Sequence, residues 1–132
     1  VDVAPRPLRI ILVDDSPLVL DVLTAALVRL GHSAIPLLLE GAPSLPAAVD
    51  QYRPDVVVLD VLMPGSSSAE LTRSLGPAST WTFKLLLCSN LDEAELARLS
   101  AETGADGYIL KSAGFRAAAQ AIVEAAETTE PP

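Results

Sequence analysis

The segment Asp55 to Leu59 (DVVVL) is, after its first residue, wholly apolar and mostly β-branched without polar alternation, and it stops at a lone carboxylate, Asp60, before the turn residues Met63-Pro64-Gly65. A short run of this kind reads as a strand buried on both faces, because a half-exposed strand would alternate apolar and polar residues. Burial on both faces needs a layer above and a layer below. In a chain of 132 residues that requirement is met by helices packed on both sides of a parallel sheet.

The rest of the chain repeats the pattern. Leu8 to Val13 (LRIILV) reads as a buried strand, followed by Leu18, Val19, Val22, Leu23, Ala26, Leu27 and Leu30 at helical spacing, with Ser16-Pro17 opening that helix and Gly31 closing it. Ser33 to Leu39 reads as a second strand, with Pro36 placing it at a sheet edge, where a missing N–H is tolerated. Ser44 to Tyr52 and Ser67 to Leu75 read as short helices flanking the Asp55 to Leu59 strand. Phe83 to Cys88 (FKLLLC) is a fourth strand, Leu91 to Thr103 a helix with Asp92, Glu93 and Glu95 in its first turn and Gly104 as its stop. Tyr108 to Leu110 is a short fifth strand, and Phe115, Ala118, Ala119, Ile122, Val123 and Ala126 mark a last amphipathic helix. The expected fold is therefore α/β, a five-stranded, doubly wound parallel sheet. Residues 1–7 and 128–132, rich in proline, read as a disordered or linker N-terminus and a C-terminal tail or linker stub, leaving 8–127 as a single domain.

Charge and cysteine content narrow the function. A net charge of −8 opposes a direct grip on nucleic acid, which relies on clustered Lys and Arg. The single cysteine, Cys88, has no partner for a disulfide or a Cys-based metal site and suits a reducing, cytoplasmic setting. No stretch approaches the ~18 apolar residues of a membrane span, and no leader pattern opens the sequence. His32, the only histidine, reads as an exposed loop residue, and Trp81 as a packing residue.

In open parallel sheets, ligands sit beyond the carboxyl ends of the strands. At those positions stand Asp14 and Asp15, Asp60, Ser89 and Lys111. Three converging carboxylates repel one another, and a divalent cation relieves the repulsion; an all-oxygen set points to Mg²⁺. A lysine and a hydroxyl beside them suit phosphate oxygens, and one carboxylate can act as a phosphoryl acceptor.

From Leu8 to Ala126, the ordered set VDDS, LDVLMPG, CSN and GYILKS resembles a response-regulator receiver domain. The resemblance implies a flavodoxin-like (βα)5 fold with strand order 2-1-3-4-5. It implies that Asp60 accepts a phosphoryl group from a histidine kinase or phosphotransfer protein. Asp14, Asp15, Asp60 and the Leu62 carbonyl would hold Mg²⁺, Ser89 and Lys111 would contact the phosphoryl group, and Ser89 with Tyr108 would form the switch. It further implies a partner-binding or homodimer face on the fourth helix, fifth strand and fifth helix, with no enzymatic activity beyond the domain's own phosphorylation and dephosphorylation.

Two departures stand out. Ser112 follows Lys111 where the family usually has proline, an ending similar to receivers that precede a helix-turn-helix module; no such module lies within these residues, so the unit acts alone or belongs to a longer regulator. Asn90 follows Ser89 where a small residue is usual, and together with Leu62 and Leu91 it is expected to flank the approach to the phosphoryl group, the two leucines excluding water. Two other functions remain open on sequence. One is a phosphate-independent interaction domain with a relic site. The other is a small Mg²⁺-dependent aspartyl-phosphate phosphatase or phosphotransferase, which usually has an acidic residue where Leu62 stands.

Overall fold

The computed structural model describes residues 6–38, 45–61, 68–90 and 92–127. In chain order the elements are β1 (Arg9–Asp14), α1 (Pro17–Arg29), β2 (Ser33–Leu38), α2 (Leu45–Tyr52), β3 (Val56–Asp60), α3 (Ser68–Ser74), β4 (Lys84–Ser89), α4 (Glu93–Thr103), β5 (Gly107–Leu110) and α5 (Phe115–Glu127). The strands form one sheet in the order β2-β1-β3-β4-β5, and every neighbouring pair is parallel. This is the doubly wound arrangement expected from the sequence.

Side chains alternate across the sheet and so divide the core into two layers. Ile10, Leu12, Val56, Val58, Leu86, Cys88 and Ile109 pack against Leu20, Leu23 and Leu27 of α1 and Ala118, Ala119, Ile122 and Val123 of α5. Ile11, Val13, Val57, Leu59, Leu85 and Leu87 face the other way, against Leu45 and Ala48 of α2, Leu71 of α3 and Leu96 of α4. Both faces of β3 are thus covered, as its unbroken apolar run requires. Pro36 lies on β2, at the sheet edge, opposite Leu12.

Local signals set the helix ends. Ser16 caps α1, its side chain accepting from the Val19 N–H, with Pro17 as the first helical residue; Gly31 follows with φ 91°, a conformation glycine adopts without strain. Asp92 is the cap of α4 rather than a first-turn acid, accepting from the Glu95 N–H at 2.9 Å, so the helix begins at Glu93, later than its expected start at Leu91.

A repeated device closes the amino edge of the sheet. Asp55, just before β3, donates its N–H to the Arg9 carbonyl and accepts the Arg9 N–H on Oδ2 at 2.9 Å. Asp106, just before β5, does the same with Leu85, its carboxylate accepting the Leu85 N–H at 2.8 Å. Each aspartate thereby satisfies both backbone groups of one residue on the neighbouring strand, which would otherwise be open at the sheet margin. Arg6 adds a guanidinium to Asp55 through two hydrogen bonds.

Candidate functional site

The ladder extends the strands one residue beyond their apolar runs. Asp14, Asp60 and Ser89 are the last residues of β1, β3 and β4, paired with Leu38, Cys88 and Leu110, so they belong to the strands rather than following them. Backbone hydrogen bonding is indifferent to side-chain polarity, and the acids continue the register. Their positions at the carboxyl edge are therefore held by the sheet itself.

Alternation decides which way each side chain points. Asp14 and Asp60 are in phase with Ile10, Leu12, Val56 and Val58, on the α1/α5 face, while Ser89 is in phase with Leu85 and Leu87 on the α4 face. Both acids are only 4% exposed, and Ser89 is fully buried; Asp15, one residue past β1, is exposed. One oxygen from each of Asp14, Asp15 and Asp60 lies within 4.8 Å of the others.

Lys111 enters from the end of β5, at the start of a short 3-10 turn (Lys111–Ala113) that leads through Gly114 into α5. Its Nζ donates to Asp14 Oδ2 at 2.8 Å and lies 3.3 Å from Asp60 Oδ2. Burial alone would lower its pKa, but the Asp14 hydrogen bond and the charges of Asp60 and Asp14 outweigh that and hold the ammonium above its ordinary value. Asp14 Oδ1 also accepts the Ser16 N–H at 3.0 Å, which fixes the carboxylate relative to the α1 cap. No cis peptide bond occurs among the described residues, so the Lys111-Ser112 bond is trans.

The donor set suits a hard cation. Three carboxylates that each bring one oxygen within 4.8 Å of the others, two of them fixed at strand ends, are the hard oxygen donors that such an ion takes. The Leu62 carbonyl expected to complete the ligands lies outside the described residues, as do Met63-Pro64-Gly65 and the expected water-excluding Leu91. Asn90 is described and exposed.

The contacts of Cys88, Tyr108 and His32 were not anticipated from the sequence. Cys88 lies opposite Asp60 in the ladder, and burial pushes its thiol up to about 12, so it stays protonated and does not compete as a nucleophile. Tyr108 donates its phenol O–H to Glu93 Oε2 at 2.9 Å, joining β5 to the first residue of α4. His32 is half-buried rather than exposed: its Nδ1 accepts the Leu8 N–H at 3.0 Å and supplies an acceptor at the start of β1. Trp81 stacks on Phe83 with ring centroids 5.6 Å apart and donates its indole N–H to the carbonyls of Leu75 and Gly76, the packing role expected of it.

Residues 10–123 match the family model described as a response regulator receiver domain. The chain is 34% identical over 104 residues to protein PilH of Pseudomonas aeruginosa, a match covering 78% of this chain and 84% of PilH. It is 33% identical over 103 residues to the DNA-binding response regulator MtrA of Mycolicibacterium smegmatis, covering 78% of this chain but 43% of MtrA, so it spans less than half of that relative. The solved signal receiver domain of the response regulator NarL from Mycobacterium tuberculosis superposes with a TM-score of 0.76 at 27% identity, covering 95% of this chain and all of that one.

Proposed function

We propose that this chain, which belongs to the response regulator receiver domain family, is switched by a phosphoryl group carried on Asp60. The observation that carries this reading is the juxtaposition of three carboxylates within 4.8 Å of one another with a lysine ammonium that touches two of them, all at the carboxyl edge of a parallel sheet.

Each residue has a role its chemistry can perform. Asp60, anchored in the ladder, presents a carboxylate oxygen that attacks phosphorus, forming an aspartyl P–O bond as the bond to the donor's leaving group breaks and that group departs with the electron pair. Asp14, Asp15, Asp60 and the Leu62 carbonyl are the groups that would hold Mg²⁺, which when bound supplies positive charge to the phosphoryl oxygens. Lys111 moves from its present place between Asp14 and Asp60 onto a phosphoryl oxygen, remaining protonated throughout. Ser89 donates its hydroxyl to another oxygen, and Tyr108, a diagonal neighbour of Ser89 on the α4 face (Leu87 pairs with Tyr108, Ser89 with Leu110), follows it.

The donor is a histidine kinase or phosphotransfer protein. Leu18, 70% exposed in the first turn of α1, offers such a protein an apolar contact at the carboxyl edge of the sheet. The output face is formed by α4, β5 and α5, which binds a partner or a second copy. The only turnover expected is the domain's own phosphorylation and hydrolysis, and the setting is the cytoplasm; no helix among the described residues is long and apolar enough to cross a membrane.

Incubation with Mg²⁺ and acetyl phosphate followed by intact-protein mass tests this reading. A single phosphoryl adduct that needs Mg²⁺ and is lost in Asp60→Asn supports it. No adduct, with or without Mg²⁺, would overturn it in favour of a phosphate-independent interaction domain.

A further inference from the structure

Tyr108 is held by its neighbours in two ways. Its ring packs at the edge of the core layer that contains Leu87 and Leu96, while its hydroxyl reaches outward to Glu93 Oε2 at 2.9 Å. Glu93 is the first residue of α4 and follows the Asp92 cap, whose own carboxylate is engaged with the Glu95 N–H. Glu95, the other acid in that turn, faces Arg98 at 3.8 Å rather than the tyrosine. The phenol is therefore tied by one specific carboxylate to the segment that follows Ser89.

We infer that Glu93 is a positioning residue that holds Tyr108 in its outward place and so opposes the activated arrangement of the domain. This rests on the proposed switching through Asp60. For the ring to follow Ser89 toward a phosphoryl group, the Tyr108 to Glu93 hydrogen bond must break, and its free energy is then part of the equilibrium between the two arrangements. The bond has a charged acceptor, which strengthens it, and lies at an exposed site, which weakens it. The Glu93 carboxylate also pushes the Tyr108 phenol above its ordinary pKa, in keeping with a bond made in the protonated form.

A ligand that binds only the activated arrangement has an apparent affinity reduced by the fraction of molecules already in it. Removing the latch raises that fraction, by about three- to tenfold for a bond of this kind. The test is the affinity for beryllofluoride with Mg²⁺, together with the Tyr108 ring resonances in the absence of the mimic. Glu93→Ala and Tyr108→Phe are each expected to tighten beryllofluoride binding by about three- to tenfold, and the double variant no further than either alone. Glu93→Gln, which keeps an acceptor oxygen, is expected to fall between. Glu95→Ala removes an equivalent helix-terminal charge without touching Tyr108 and is expected to leave the affinity unchanged. In unliganded Glu93→Ala, the Tyr108 ring signals move toward their positions in the beryllofluoride complex.

Unchanged affinity in Glu93→Ala, additive effects in the double variant, or an equal effect from Glu95→Ala overturns the latch. If the native protein binds no beryllofluoride, the proposed switching itself fails, and the latch fails with it. Ring signals that stay in place in Glu93→Ala, with native mimic binding intact, reject the latch alone.

Discussion

Replacing Lys111 by methionine tests how the acidic site is stabilised. The substitution keeps an unbranched apolar stem of similar length while removing the ammonium that stands 2.8 Å from Asp14 and 3.3 Å from Asp60. At an effective dielectric near 20, unit charges at these separations attract by roughly 6 and 5 kcal/mol before desolvation is subtracted. Most of that is offset by burying the charges, but the offset is not recovered when one partner is deleted, because the two carboxylates stay buried without the ammonium that balances them. Deleting one partner of a buried pair typically costs about 3–5 kcal/mol. The lysine side chain is 11% exposed at the open edge of the sheet, which favours the lower end, about 3 kcal/mol. With a urea m-value of about 2 kcal/mol/M, the unfolding midpoint falls by about 1.5 M at pH 7. The folded-state pKa of Lys111 is raised, so its contribution is full below the unfolded value of about 10.4 and is lost as pH rises through the higher folded value. The gap between the two proteins is therefore constant through neutral pH and closes at strongly alkaline pH. Excess Mg²⁺ narrows it as well, since the variant lacks the ammonium that repels the cation from Asp14 and Asp60, binds it more tightly and gains more by mass action. A loss smaller than about 0.5 kcal/mol, the range of an ordinary surface substitution, would refute the reasoning.

Cys88, buried and with its thiol pushed up to about 12, is expected to resist a thiol reagent at pH 8 in native protein and to react freely in urea; rapid labelling of the folded form would show the β4 end to be open. Asp55→Asn weakens the bonds to Arg6 and to the Arg9 N–H and is expected to lower stability by about 1 kcal/mol in urea unfolding. Although burial alone would raise the Asp55 pKa, the Arg6 and Arg9 hydrogen bonds and charges lower it overall. That stability is therefore present above about pH 3.9 and is lost as pH falls through the lower folded value, so the native and variant curves converge in acid.

The sheet and its helices were legible because their causes are local or periodic. Unbroken apolar runs mark strands covered on both faces, helical spacing marks the covering layers, and Ser16-Pro17, Gly31 and Gly104 mark helix ends. The candidate site was legible for a related reason: in a parallel sheet every strand delivers its last residues to the same edge, so Asp14, Asp60, Ser89 and Lys111 converge without any side-chain geometry being known. What the sequence hid depends on distant partners. Asp55 and Asp106 look like ordinary loop acids until the register sets them beside Arg9 and Leu85. His32 looks exposed until Leu8, 24 positions away, turns its N–H toward the ring. The Tyr108 to Glu93 bond likewise needs the packing of α4 against β5 before it can be seen. Strand limits were short by one residue at Asp14, Asp60 and Ser89, because polarity marks the end of burial and not the end of the ladder.

Locating the phosphoryl group chemically would test the central claim most directly. An acyl phosphate is reduced by borohydride to the corresponding alcohol, so an aspartyl phosphate becomes homoserine and its position can be read by peptide mass spectrometry. After treatment with acetyl phosphate and Mg²⁺, the account predicts homoserine at position 60 alone, with Asp14 and Asp15 unchanged. Homoserine at position 14 or 15, or none at position 60 in protein that has gained a phosphoryl group, would contradict it.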